Sequence, residues 1–392
     1  IIVCDSCKKS FLIKPPLNEI TAASFWKTET DALLSINAVY DALQIDRGYR
    51  LGTIMLGDVV ADDMTCFDVN WYVKLDQFTF TAGEDQLLGS WRAWYSGISR
   101  ANSVIKWVPG IEMDADLKTR IINEAKFLRG VCYFNIVNIW GDAPFITSEL
   151  SNAELLQLKR EPQASIWAQI EEDFTDAEEL PLQYAGSDLG RATKGAAKAF
   201  LARTYLYQKK FQLAAAKAKE VIDLGIYNLH DEYIKNFQTA FENGKESVFE
   251  VQFVPGTGGW GNNEGNFIAS WTSPGAVGYV PSGGWGIIIP EAKAIEPYEA
   301  GDKRREVNIF ENGSIYNNIP YNPSWSPTGV NLAKYIIGDP PSDKEGMIDA
   351  ERNMPVVRYS EVLIIYAEAL NETDQTELAL PYLNMIRTRA GL

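Results

Sequence analysis

Side chains able to do covalent chemistry are scarce in this chain. One histidine, His230, serves 392 residues, although general-base catalysis and zinc ligation draw heavily on that side chain. A lone His beside Asp231 at a helix start reads as a surface residue. Cys132 lies inside an apolar helical stripe and reads as a small buried hydrophobe, while Cys66 is either the same or free in a loop. Cys4 and Cys7 form a Cys-x-x-Cys without the strand–helix unit that a redox motif needs. Asp58, Asp62, Asp63 and Asp68 could collect a Ca²⁺ ion, since hard cations want several carboxylates. Their spacing departs from the Asp-x-Asp-x-Asp-Gly loop, so a solvated acidic loop is the simpler reading and no cofactor is expected. No motif proposes the carboxylate pair of a glycosidase. Gly256–Gly265 lacks the Gly-Lys-Ser/Thr of a phosphate loop. The chain is not expected to be an enzyme.

Aromatic rings, in contrast, are plentiful: 11 Trp, 18 Tyr and 17 Phe. Many lie in polar, Gly-rich surroundings. Val254–Pro290 carries ten glycines together with Trp260, Trp271, Tyr279 and Trp285. Such a stretch is expected to form no helix and to hold too few aliphatics for a core of its own. Tyr321 and Trp325 follow among Asn and Pro, and Asn70-Trp71-Tyr72 follows the acidic patch near the other end of the chain. Rings offered from loops on a rigid scaffold are the arrangement of a binding face. The net charge of −16 argues against a nucleic-acid surface, which requires clustered cations. No run later than the N-terminus reaches the ~18–20 apolar residues of a membrane span.

The scaffold is legible from helical periodicity. Apolar residues recur at 33, 34, 36, 39, 40 and 43, and Ser24 or Thr28 is available as the cap. Residues 45–83 read as a long ordered loop with short helices. Helices are expected over 87–108, over 116–139 and over 161–179, the last begun by Pro162. Trp91, Trp94, Trp107, Trp140 and Trp167 lie on these stripes and are expected in the core. The second of these helices stops at Trp140-Gly-Asp-Ala-Pro144, a packing corner. Residues 191–208 and 211–224 form an Ala-rich hairpin. Gly195, Ala196, Ala197, Ala199, Ala202, Ala214, Ala215, Ala216 and Ala218 are expected on its facing sides. Residues 357–370 and 377–389 repeat the scheme, which follows tetratricopeptide logic. Residues 245–253 alternate like a strand.

Seven segments, in order along the chain, resemble the SusD-like (RagB/SusD) outer-membrane nutrient-binding lipoproteins. They are Phe11-Leu12 with Pro15 after Cys7, Ser24–Glu29 with Asp31-Ala32, and Trp91, Tyr95, Ile98 and Ala101-Asn102. Next come Glu124–Gly130 with Tyr133-Phe134 and Trp140–Pro144, then Gly190–Ala197 with Leu201–Leu206, and Gly301-Asp302 with Arg304. The last is Arg358–Leu363 with Tyr366–Asn371, Leu383-Asn384 and Ile386–Leu392. The resemblance covers the whole length.

The resemblance implies a mainly α fold: tetratricopeptide-like hairpins in a right-handed helical scaffold, with an irregular loop-rich ligand-binding subdomain containing short strands. Residues 1–17 would be the lipoprotein N-terminus and tether, and 18–392 a single domain. Within it the scaffold takes 18–240 and 350–392 and the loop-rich part 241–349. Ser6 before Cys7 suits lipoprotein processing, so Cys7 is the expected lipid acceptor, with Cys4 the alternative. Family members continue beyond the Arg-Ala-Gly-Leu turn, so the C-terminal part of the family fold is expected to be missing here. The family implies a lipid-anchored protein at the cell surface, in the outer membrane. It would capture oligosaccharides or polysaccharides and pass them to a SusC-like TonB-dependent transporter. The family's ligand face would draw here on Asp68, Asn70, Trp71, Tyr72, Trp260, Asn262, Asn263, Trp271, Tyr279, Trp285 and Trp325. A pyranose stacks its C–H face on a ring and pairs its hydroxyls with carboxylates and amides, which suits these residue types. The alternative is a tetratricopeptide-type scaffold that binds peptides or protein partners.

Overall fold

The computed structural model describes residues 25–254, 264–275, 284–337 and 350–392. Its helices are α1 (Glu29–Asp41), α2 (Gly52–Leu56), α3 (Asn70–Asp76), α4 (Asp85–Trp107), α5 (Ala115–Trp140), α6 (Asn152–Leu155), α7 (Gln163–Asp176), α8 (Lys194–Tyr207), α9 (Phe211–Asp223), α10 (Ile268–Thr272), α11 (Lys303–Asn308), α12 (Tyr359–Asn371) and α13 (Thr376–Ala390). Several begin where the chain supplies a cap. Thr28, rather than Ser24, forms a capping box with Asp31. Asp114 accepts the Leu117 N–H at 2.9 Å, and Thr193 accepts that of Ala196 at 3.1 Å. Asp302 accepts the Arg304 N–H at 2.9 Å and ion-pairs with its guanidinium, which accounts for the Gly-Asp…Arg motif.

Neighbouring helices pack in a row: α1 on α4, α4 on α5, then α7, α8, α9, α12 and α13. Each buries a face only because the next one covers it. Small residues set the spacing. A Cβ added to Gly97 would lie 2.6 Å from Cys132 Sγ, and one on Gly130 would lie 2.8 Å from the Phe174 ring. The Ala-rich hairpin α8–α9 is as expected except at two positions. Ala216 faces solvent. Gly195 makes room for Tyr227, whose hydroxyl would be 2.2 Å from an added Cβ. At the centre Phe127 meets Phe174, Phe200 and Phe249 at centroid distances of 5.6, 5.3 and 5.0 Å.

Arg129 of α5 and Asp173 of α7 are both buried and pair in bidentate fashion at 2.9 and 2.7 Å. The same guanidinium donates to Asn102 Oδ1 of α4 at 2.7 Å, so one cation ties three helices. The Trp140–Pro144 corner is a packing device, as its sequence suggests. Tyr95 donates to the Pro144 carbonyl at 2.6 Å, and the Tyr133 hydroxyl accepts from and donates to the Ile146 backbone.

The strands are short and pair antiparallel in twos: β1 (Met64–Cys66) with β3 (Ile288–Pro290), and β2 (Ser247–Val251) with β8 (Met354–Arg358). The same holds for β4 (Ile309–Phe310) with β7 (Asn331–Leu332) and β5 (Ile315–Tyr316) with β6 (Ile319–Pro320). β2 and β8 belong to the scaffold, since Val248, Phe249, Val251 and Val357 lie in its core. Residues 51–75, by contrast, pack with the loop-rich part. Leu51, Ile54, Met55, Tyr72 and Leu75 share a second core with Phe267, Ile268, Trp271, Ile288 and Leu332. The loop-rich stretch therefore gains a core by borrowing aliphatics from a distant segment. It also forms the short helix α10, all five residues of which are buried, where no helix was expected. Arg50 joins the two cores. It is fully buried, donates to the Gly265 carbonyl at 2.5 Å, and lies 3.4 Å from the Phe267 ring centroid.

Candidate functional site

Two segments more than two hundred residues apart form one surface because β1 pairs with β3. Met64, Thr65 and Cys66 face Pro290, Ile289 and Ile288, and the Phe67 N–H continues the ladder to the Ile287 carbonyl at 3.3 Å. Asp68 follows directly with a φ of 76°, an uncommon left-handed conformation that Asp tolerates better than most residues. Asp68 and Asn70 are exposed, and Trp71 is the second residue of α3. On the facing segment the Trp285 N–H donates to the Ser270 carbonyl at 2.8 Å and the Ile287 N–H to the Trp271 carbonyl at 2.9 Å.

Three rings step outward from the second core. Tyr72 meets Trp271 edge-on at 4.9 Å and 82°, and Trp271 meets Trp285 edge-on at 5.2 Å and 89°. Tyr72 and Trp271 are buried, so these two, expected on a ligand face, instead hold it up from beneath. Trp285 is half-buried and keeps part of its surface in solvent. Gly286, at φ 56°, passes so close to Asn331 that an added Cβ would lie 3.3 Å from Nδ2. Asn331 Oδ1 accepts the Tyr321 hydroxyl at 2.7 Å, and Tyr321 meets Trp325 edge-on at 5.5 Å. Trp325, also half-buried, sits on a short turn that the Asn322 side chain caps. Trp285 and Trp325 are thus linked by way of Gly286, Asn331 and Tyr321, while exposed Asp68 and Asn70 follow the strand that pairs with β3. Trp260, Asn262, Asn263 and Tyr279 lie outside the described residues, as do Cys4 and Cys7.

The electrostatics do not favour covalent chemistry. Burial, with Asp76 and Asp68 adding to it, pushes the Cys66 thiol up to about 12, and burial alone does the same for Cys132. His230 is buried, contrary to the surface expectation. Its backbone N–H donates to Glu246 Oε2 at 2.9 Å, its ring meets Phe241 edge-on, and burial lowers its pKa. Burial also works against the Glu246 carboxylate, but Arg358 and Arg389 outweigh it and hold the group below its ordinary range. Among the described residues no group of three or more His, Cys, Asp or Glu could hold a metal ion. Burial raises Asp58, and Lys334 opposes that rise.

Glu242 and Glu250 are a carboxylate pair that motif reasoning missed. Asn353 donates its N–H to Glu242 at 2.7 Å and its amide to Glu250 at 3.2 Å. Burial pushes Glu242 up to about 7, with Glu250 adding to the rise. The cavity beside them holds about 10 Å³, roughly one water and far less than a sugar ring. Larger grooves of about 920 and 650 Å³ lie elsewhere, the second lined by Phe78, Phe80, Trp91 and Trp140. Trp94 is fully buried as expected, whereas Trp107 is half-buried, stacked on Trp26 and bonded to Glu149.

Comparison with known proteins settles the relationship. Residues 31–206 match a family model of SusD-like proteins described as starch-binding and associating with the outer membrane, and residues 245–392 match the model of the SusD family. The chain belongs to the SusD family. SusD-like protein P2 of Formosa agariphila is 29% identical over 415 residues, covering 98% of this chain and 79% of the relative. A solved laminarin-binding SusD-like protein superposes with a TM-score of 0.81 at 28% identity, covering 93% of this chain and 85% of that one. Surface glycan-binding protein A of Bacteroides fluxus gives 0.80 at 25% identity, with coverages of 93% and 82%. The mainly α architecture with short strand pairs is the SusD-like one, and no described helix is long and apolar enough to cross a membrane.

Proposed function

We propose that this SusD-like protein captures glycan chains at the outer-membrane surface and passes them to a SusC-like TonB-dependent transporter, without cleaving them. The observation that carries the reading is the pair of half-exposed indoles, Trp285 and Trp325, linked by way of Asn331 and Tyr321, with Asp68 and Asn70 exposed just past the strand that pairs with β3. Half-exposed indoles offer faces for the C–H side of a pyranose, and an exposed carboxylate and amide on the paired segment can accept from and donate to its hydroxyls. Support comes also from the relatives, one of them laminarin-binding and another glycan-binding by name. Anchoring through a lipid on Cys7, or on Cys4, belongs to the same reading.

Isothermal titration against neutral glucans, xylans, mannans and a peptide panel tests the ligand class. Binding to a glycan that Trp285→Ala and Trp325→Ala each weaken supports the reading. Binding to peptides alone would move the protein to the alternative role. Release of reducing ends from a bound glycan would make it an enzyme. Co-purification with a TonB-dependent porin from detergent-solubilised outer membranes tests the hand-off.

A further inference from the structure

The segments that build the proposed ligand face are unusual in their charge. Residues 264–275 and 284–290 contain a single charged side chain, Glu264, and residues 312–333 contain none. Residues 58–76 contain five carboxylates, Asp58, Asp62, Asp63, Asp68 and Asp76, against one ammonium, Lys74. Lys74 is already paired with Glu84 at 3.1 Å. The next cations along the chain are Lys293, exposed just past β3, and Lys334, which lies 5.0 Å from the Tyr335 ring centroid and whose pKa Tyr335 first, then Tyr233 and Asp58, raise against burial. None of these segments carries an arginine.

A protein that binds uronates or sulfated sugars needs donors of positive charge, arginine above all, because an anion stripped of water must be re-paired. Within these segments the exposed charges are Asp62, Asp63 and Asp68, all of one sign, on a chain whose net charge is −16. Two like charges a few ångströms apart repel by about 1 kcal/mol even in bulk water, and by more beside a low-dielectric wall. An anionic glycan would meet this repulsion at every charged residue it laid along the face. A neutral one meets only rings, amides and acceptors for its hydroxyls.

We infer that the ligand is an uncharged glycan and that the carboxylates of residues 58–68 reject uronate- and sulfate-bearing chains. The inference rests on the glycan-binding reading above and narrows it to one substrate class. The test is isothermal titration of the full chain with laminarin, amylose and xylan, and with a polyuronate and a sulfated galactan of matched length. It is run at about 0.01 M and about 1 M salt, between which the Debye length falls from ~30 Å to ~3 Å.

The expected result is a neutral chain whose affinity changes less than about twofold with salt, and anionic chains at least about tenfold weaker at low salt, a gap of roughly 1.4 kcal/mol. An anionic chain that binds at low salt as tightly as any neutral one overturns the inference and leaves the glycan-binding reading standing. Binding to no glycan of either class removes that reading itself. A second variant, Asp62→Asn with Asp63→Asn, changes exposed charge outside the proposed contacts. It should narrow the low-salt gap between neutral and anionic chains about threefold or more, a change of roughly 0.6 kcal/mol. An unchanged gap would overturn the electrostatic origin of the selectivity.

Discussion

Trp94 and Trp285 show how differently the two regions of this molecule use the same side chain. On α4, Trp94 is completely buried, with Tyr49 edge-on at 5.3 Å, in a core built by helices that each cover the next. In the loop-rich region Trp285 rests edge-on upon Trp271 and keeps part of its surface in water. The first ring fills space and the second is displayed. The scaffold obtains rigidity from aliphatic burial and from buried ion pairs such as Arg129–Asp173. The loop-rich region obtains it from perpendicular aromatic contacts and from backbone pairing with a distant segment.

The contrast is open to measurement, beginning with Asp173→Ala. Removing this carboxylate strands Arg129 in the core and should lower unfolding free energy by roughly 3–5 kcal/mol in urea titration. Glycan affinity of the folded fraction should stay the same. A loss below about 1 kcal/mol would mean that the scaffold does not depend on its buried charges. Trp94→Ala should cost about 3–5 kcal/mol of stability with little change in affinity, and Trp285→Ala should do the reverse. For the latter the expected loss is about 2 kcal/mol of binding, near thirtyfold, with a much smaller shift in unfolding. Equal stability losses from the two would erase the distinction drawn between them.

The pH response of Glu242 is a subtler probe. Its folded pKa is about 7 against an ordinary 4.5, so the folded state binds the extra proton between those values. Its stabilising contribution is present below about 4.5 and is lost as pH rises through about 7. The wild type should therefore lose more stability between pH 5 and pH 8 than Glu242→Gln, as read from thermal unfolding midpoints; parallel pH curves would refute the assignment. The smallest effect concerns Phe78, an exposed ring at φ 53° just past the end of α3. Glycine is the preferred residue there, so Phe78→Gly should leave stability unchanged or raise it by up to ~1 kcal/mol. A loss larger than that would show that the ring packs more than its exposure suggests.

The helices were legible because apolar periodicity, caps and the Gly141 stop are local signals, and the observed bounds differ from them by only a few residues. What stayed hidden depended on distant partners. Nothing near Tyr72 or Trp271 in sequence says that they pack on each other across two hundred residues, so both read as ligand platforms although both are buried. His230 looked like a surface residue because its partner, Glu246, is also bound by Arg358 and Arg389, far away in the chain. α10 was missed for the same reason: its stability comes from the 51–75 segment and not from its own glycine-rich neighbourhood. Of the candidate face, Asp68, Asn70, Trp285 and Trp325 were named through the family resemblance, while the ladder that brings their segments together was not readable.

The β2–β8 ladder sets Val251 opposite Met354. The polypeptide therefore leaves the helical array and re-enters it at almost the same point, about a hundred residues later. The described part of that excursion is tied at this doorway by backbone hydrogen bonds that are indifferent to side-chain identity, and again where β3 pairs with β1. Between those ties the excursion can lengthen or shorten while the array keeps its register, since loop-closure entropy grows only slowly with length.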